Sequence, residues 1–142
     1  MDRRAKTECQ AERTRIVRSI TGEKDLSLVI VACSIRNEDR CKIGRNGNPD
    51  EISYTRKVKL ALEKLGEIGR YSNLNKIPIG QCAEPHAANK VLQNRHHTTM
   101  GIEDLSFSHA FRPRTKNIIG GKTLGKITKY AYCENCKKVF NI

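Results

Sequence analysis

Three cysteines and one glutamate have the types and spacing for hydrolytic metal chemistry. Cys82 and Glu84 stand two residues apart in Gly80-Gln81-Cys82-Ala83-Glu84-Pro85-His86, and Cys133 and Cys136 form a Cys-x-x-Cys close to the C-terminal end. A catalytic zinc ion takes three protein ligands and keeps its fourth position for water. Two cysteines three apart at a helix start can face one metal, and Cys82, also at a helix start, is available as the third. Helix N-termini favour the thiolate that zinc binds. Zinc drops the pKa of its water from about 15.7 to about 7, and a carboxylate that does not ligate the metal must then move protons. Glu84, two residues past Cys82 on the same turn, has that reach. A closed alternative uses the same cysteines with His86 as a fourth ligand, which leaves no catalytic water and makes Glu84 incidental. Redox use of Cys133 and Cys136 fits less well, because a thioredoxin-like pair follows an early βαβ strand.

Those residues need elements to bring them together. Residues 3–20 read as a charged helix with apolar positions at Ile16, Val17 and Ile20, stopped by Gly22. Leu26 to Ile35 is an apolar run of strand length and predicts a buried central strand. A polar turn at Arg36-Asn37-Glu38-Asp39 leads to a partner strand over Arg40 to Gly44. Residues 51–66 predict an amphipathic helix with Val58, Leu60, Ala61, Leu62 and Leu65 on its apolar face. The next helix starts near Cys82, where Pro85 is tolerated in the first turn. Leu105 to Phe111 alternates as a strand does, and a short helix begins at the Cys-x-x-Cys. The order of elements implies one α/β layered domain.

Composition limits what such a domain acts on. The chain has 142 residues and a net charge of +12, from 27 Lys and Arg against 15 Asp and Glu. That imbalance favours a polyanionic partner, because each neutralised phosphate releases counterions. The six cysteines are too unevenly spaced for a disulfide framework; Cys33 reads as a small buried residue, while Cys9 and Cys41 show no evident partner. No apolar run approaches a membrane span, and residues 1–6 lack the apolar region of a signal peptide. The expectation is a protein that works in a reducing, aqueous compartment. Adjacent His96 and His97 read as a solvated helix end, and His109 as an ordinary strand histidine.

Cys82-Ala83-Glu84 followed by Cys133-Glu134-Asn135-Cys136 resembles the motif pair of the cytidine deaminase-like superfamily, His/Cys-x-Glu then Pro-Cys-x-x-Cys. The resemblance covers roughly residues 26–140. Among its branches, the Cys-Ala-Glu-Pro start and the basic, compact layout look most like the deaminase domains of bacterial polymorphic toxins. It implies a three-layer α/β domain: a small central mixed β-sheet flanked by helices, with the zinc site at the N-termini of two helices. Residues 1–142 would then be a single domain, with 1–22 a helical extension and 26–140 the catalytic core. The implied roles are zinc ligands Cys82, Cys133 and Cys136, proton carrier Glu84, and substrate contacts Asn46, Ala83, Phe111 and Tyr132. Asn46, in Gly44-Arg45-Asn46-Gly47, occupies the place of a family asparagine that contacts sugar or base, and otherwise reads as a left-handed turn residue. Tyr132 stands where the family usually has proline. Six residues follow Cys136, so strands that usually come after the last helix are missing and three strands are expected, with residues 116–130 adding at an edge.

The implied reaction is zinc-dependent deamination of a nucleobase, cytosine by default, in single-stranded DNA or RNA. The basic stretch from Arg112 to Lys129 would guide the phosphate backbone, with Phe111, Tyr130 or Tyr132 as stacking surfaces. The implied setting is a toxin effector, delivered into the cytoplasm of a target cell as the C-terminal domain of a larger protein and neutralised by an acidic immunity protein. Two alternatives stay open, a free nucleoside or nucleotide deaminase and a non-catalytic zinc-stabilised nucleic-acid-binding module.

Overall fold

The computed structural model describes residues 29–36, 38, 40–74, 77–108, 110–112, 118–119, 122–123, 128–130 and 132–142. The helix expected over residues 3–20, Leu26 to Leu28 of the expected central strand, and His109 lie outside the described residues. Strand β1 (Ile30–Ile35) is buried along its whole length. A polar turn joins it to β2 (Cys41–Arg45) in the expected antiparallel hairpin, with Ala32 opposite Ile43 and Ile30 opposite Arg45. The other edge of β1 pairs with β3 (Leu105–Phe107) and then β4 (Ala110–Arg112). Leu105 to Phe111 is therefore two short strands on one line rather than one. The break is at Ser108, whose Oγ accepts from Ala32 N–H at 3.0 Å while its own N–H donates to Ala32 O at 2.9 Å. A side chain in the ladder costs a pairing position and bends the strand.

The last strand on the sheet is β7 (Thr128–Tyr130), which pairs with β4, so the segment after residue 116 does add at an edge. A separate ladder joins β5 (Ile118–Ile119) and β6 (Lys122–Thr123). The sheet order is β2-β1-β4-β7, with β3 beside β1, and each of these pairings is antiparallel. This corrects the mixed sheet expected from the sequence. Helix α2 (Ala83–Leu92) carries the chain from the end of β2 back to the hairpin-turn end of the sheet, so β3 runs parallel to β2. Yet β1 lies between them, and β3 meets only β1 through hydrogen bonds.

Helix α1 (Arg56–Glu63) is shorter than the expected 51–66, because Pro49–Glu51 forms a separate 3-10 turn and Thr55 caps α1, accepting from Val58 N–H. Its buried face is Val58, Ala61 and Leu62; Leu60, expected on that face, is 50% exposed. Two residues beyond Val58 is more than half a helical turn away, which puts Leu60 on the far side. Val58 and Leu62 pack in one core with Val31, Cys33 and Ile35 of β1, Ala83, Ala87 and Val91 of α2, and Cys136 and Phe140 of α3 (Glu134–Phe140). All three helices thus cover one face of the sheet, while Ile30, Ala32 and Ser34 are buried on the other. The helical extension expected over residues 1–22 lies outside the described residues.

Contact between α2 and β2 is close. A Cβ on Gly44 would stand 2.3 Å from Ala87 N and 2.5 Å from Ala83 O, so only hydrogen fits where α2 crosses the strand. Cys41, which had no evident partner in the sequence, is disulfide-bonded. Cys33, Cys82, Cys133 and Cys136 are free thiols. Among the described residues no helix is long and apolar enough to cross a membrane.

Candidate metal centre

Helices α2 and α3 begin at one point. Cys82 is the N-cap of α2 and Cys133 the N-cap of α3, both with extended backbone at that residue. An N-cap side chain folds back over the unpaired amides of the first turn, where the helix dipole favours negative charge. At α3 the Cys133 Sγ accepts from Cys136 N–H at 3.5 Å. The Cys82 and Cys133 sulfurs lie 2.8 Å apart, and with Cys136 one turn further on, all three sulfurs are within 4.8 Å of one another. Sulfurs bound about 2.3 Å from one tetrahedral zinc stand about 3.8 Å apart, so the trio is close enough to hold such an ion once Cys82 and Cys133 part by about 1 Å. No other histidine or acidic group joins the trio among the described residues.

The electrostatics single out Cys133. Hydrogen bonds from Cys136 and Cys82 hold its thiol down at about 3, and the same bonds push Cys136 and, from Cys133, Cys82 upward. Three sulfurs this close compete for their protons, and a divalent cation held there would displace them.

Glu84 is 3% exposed in the first turn of α2, and its Oε2 accepts from the Cys136 thiol at 3.2 Å. Burial raises its pKa, opposed by its own backbone amide and by Cys136. A carboxyl so placed takes and returns protons more readily near neutral pH than an exposed one.

His86 does not join the sulfurs. Its Nε2 is 2.8 Å from Gly80 O, and burial lowers its pKa. Gly80 takes a left-handed φ of 90°, which turns its carbonyl toward two donors, His86 and the Tyr54 hydroxyl at 2.5 Å. The imidazole thus orders the approach to Cys82, and the closed Cys₃His arrangement is not formed.

The expected substrate contacts gather at the same end of the sheet, by different means. Asn46 closes the hairpin: its N–H donates to Val29 O at 3.1 Å and its Oδ1 accepts from Val29 N–H at 2.8 Å. It is not left-handed, since Asn141 is the one non-glycine with positive φ among the described residues. Gly47 N–H donates to Gln81 O at 2.9 Å, which fastens this segment one residue before Cys82. Ala83 opens α2 and is buried. Tyr132 precedes Cys133 and donates its hydroxyl to Ser108 O at 2.6 Å; burial, then the neighbouring Glu84, raises its pKa. Phe111 lies opposite Ile30 at this end, described through its backbone alone, as is Tyr130 in β7. Of the basic stretch, Arg114, Lys116 and Lys126 lie outside the described residues.

Asn135 was missed by sequence reasoning. It sits between the two cysteines of α3, is 3% exposed, donates from Nδ2 to Ile77 O at 3.0 Å and accepts from Ser72 Oγ at 2.5 Å. An uncharged amide inside a Cys-x-x-Cys was the signal available; its partners, 58 and 63 residues away, were not. The adjacent histidines also differ from expectation: His96 is exposed, whereas the His97 ring spans Val91 O at 2.8 Å and Glu38 Oε2 at 3.0 Å. No protein-family model, curated protein or solved structure matches the chain.

Proposed function

We propose that this protein is a zinc-dependent hydrolytic deaminase of a nucleobase, acting on cytosine in single-stranded DNA or RNA. The observation that carries it is the buried Glu84 carboxylate, 3.2 Å from one sulfur of a three-cysteine cluster that no fourth side chain closes among the described residues. A structural cluster has no use for a buried, unligated acid, whereas hydrolysis at an amidine-like carbon needs one. Zinc held by Cys82, Cys133 and Cys136 supplies Lewis acidity and a water that ionises near neutral pH.

Within that reading, Glu84 accepts a proton from the nucleophilic water and delivers protons to the ring nitrogen and the departing amino group. The balance is base-NH₂ plus water to base carbonyl plus ammonia. Raised by burial, the carboxyl gives a proton up late and takes it back early, as both directions require. Ala83 and Tyr132 flank the acid, and Asn46 holds the loop beside them. The +12 charge favours a polynucleotide over a free nucleoside. An effector of this kind acts inside a target cell after delivery within a larger protein, and an acidic immunity protein would neutralise it by covering the same basic surface.

The test incubates wild type, Glu84→Ala and Glu84→Gln with single-stranded DNA, RNA and free nucleosides, then measures ammonia and base conversion. Wild type is expected to convert one base class, and both variants to lose at least about 10²-fold while retaining one zinc per chain. A zinc-loaded wild type that converts no base on any substrate sinks the enzyme reading and leaves the zinc-stabilised binding module.

A further inference from the structure

The loop between α1 and α2 is longer than a connection requires, and it is built against the metal centre. Its neck is a narrow pair of segments: Gly69 N–H donates to Ile79 O and Ile79 N–H to Arg70 O, each at 2.9 Å, and Tyr71 bridges to Pro78. Asn135 grips the loop from both sides through Ser72 and Ile77. Ser72 Oγ also accepts from Leu74 N–H at 3.1 Å, which shapes the turn. The loop is thus fixed one hydrogen bond and one residue from the Cys136 ligand.

On this anchored loop two large apolar side chains face water. Tyr71 is 69% exposed and Leu74 46% exposed. The other exposed large apolar residues among those described, Leu60 on α1 and Ile142 after α3, make no such pair on one loop. An exposed ring on a loop fastened through Asn135, the residue before Cys136, offers a stacking surface. Stable protein interfaces cover roughly 800 Å² per partner, far beyond one ring and one leucine, while a single nucleobase matches that area. The neighbouring Arg70 side chain is 78% exposed beside Glu67 Oε2 at 3.7 Å, and the chain as a whole carries +12, which favours a polyanionic partner.

We infer that Tyr71, edged by Leu74, is the platform on which a base flanking the target base stacks, so that this loop selects a single-stranded polynucleotide over a free nucleoside. The inference rests on the deaminase reading for its target base, but its own content is a binding contact. Asn135 acts as a positioning residue, holding the platform in register with the metal centre.

The experiment measures binding, not turnover, so the two readings can fail separately. Zinc-loaded full-length wild type, Tyr71→Ala, Tyr71→Phe and Leu74→Ala are titrated against a fluorescein-labelled cytosine-containing single strand by anisotropy at several salt concentrations. Tyr71→Ala is expected to weaken Kd roughly tenfold, within the range for one aromatic–base stack. Tyr71→Phe is expected to stay within about twofold, and Leu74→Ala to lose only a few-fold. The salt slope is expected to be unchanged in Tyr71→Ala, since no phosphate contact is lost. A strand with an abasic site next to the cytosine should bind wild type and Tyr71→Ala alike. Equal binding of the intact strand by wild type and Tyr71→Ala overturns the platform even if cytosine is deaminated. So does an absence of single-strand binding by wild type. The expected binding pattern without product upholds the platform and overturns the deaminase.

Discussion

Glu84 and His86 occupy one turn of α2 and meet the same burial with opposite consequences for pH. Burial lowers the His86 pKa, so below the unfolded value of about 6.5 the unfolded chain takes a proton that the folded chain refuses. Its stabilising share is present above that value and lost as pH falls toward the folded value. Urea midpoints measured between pH 7.5 and 5.5 should fall with pH, and His86→Gln should flatten that part of the curve. Glu84 has the reverse sign. Its raised pKa gives stability that is full below the unfolded value of about 4.5 and is lost as pH rises through the folded value. Ionising this buried acid therefore costs the fold stability, and Glu84→Gln should melt at or a few degrees above wild type at neutral pH while losing the proposed activity. A melting temperature several degrees below wild type would show the acid to be structural. At the centre itself Cys136 is 2% exposed, and Cys136→Ser is expected to cut bound zinc well below one per chain, read by metal analysis after gel filtration.

Among the elements, the contact between β2 and α2 decides whether the centre exists. Gly44→Ala would drive a methyl to 2.3 Å from Ala87 N, which is backbone and has no rotamer to yield. The expected cost is about 1–3 kcal/mol by urea unfolding. It should come with weakened zinc affinity, because α2 carries Cys82 at the end that must move. The central hairpin, the start of α2 and the cysteines at two helix ends were legible because apolar runs, Pro85 and the Cys-x-x-Cys are local signals. The break at Ser108 was not, because alternation continues through it and the cause is the Ala32 backbone, 76 residues away. Leu60 was misplaced by counting apolar residues instead of following the 3.6-residue period, which a helical wheel would have separated. The antiparallel character of the sheet follows from which strands become neighbours, and no segment of sequence states that.

On the scale of the whole molecule, charge and cysteine chemistry set the conditions of use. With +12 spread over 142 residues, affinity for a single strand should fall steeply between 50 and 200 mM salt, while any turnover of free cytidine should barely respond. Isotherms at three salt concentrations check the first, and initial rates the second. The disulfide at Cys41 has a further consequence when set beside the four free thiols. On the proposed zinc reading, one polypeptide has to keep a cysteine oxidised and three others as metal-binding thiolates, and the Cys82 and Cys133 sulfurs are near enough to oxidise together. On that reading the sequence of assembly matters: metal arriving before oxidant would act as a protecting group while the disulfide forms. Air-oxidative refolding in zinc should yield chain with the Cys41 bond and three alkylatable ligands after acid release of the metal. Refolding in chelator should instead trap a Cys82–Cys133 link, visible by peptide mapping.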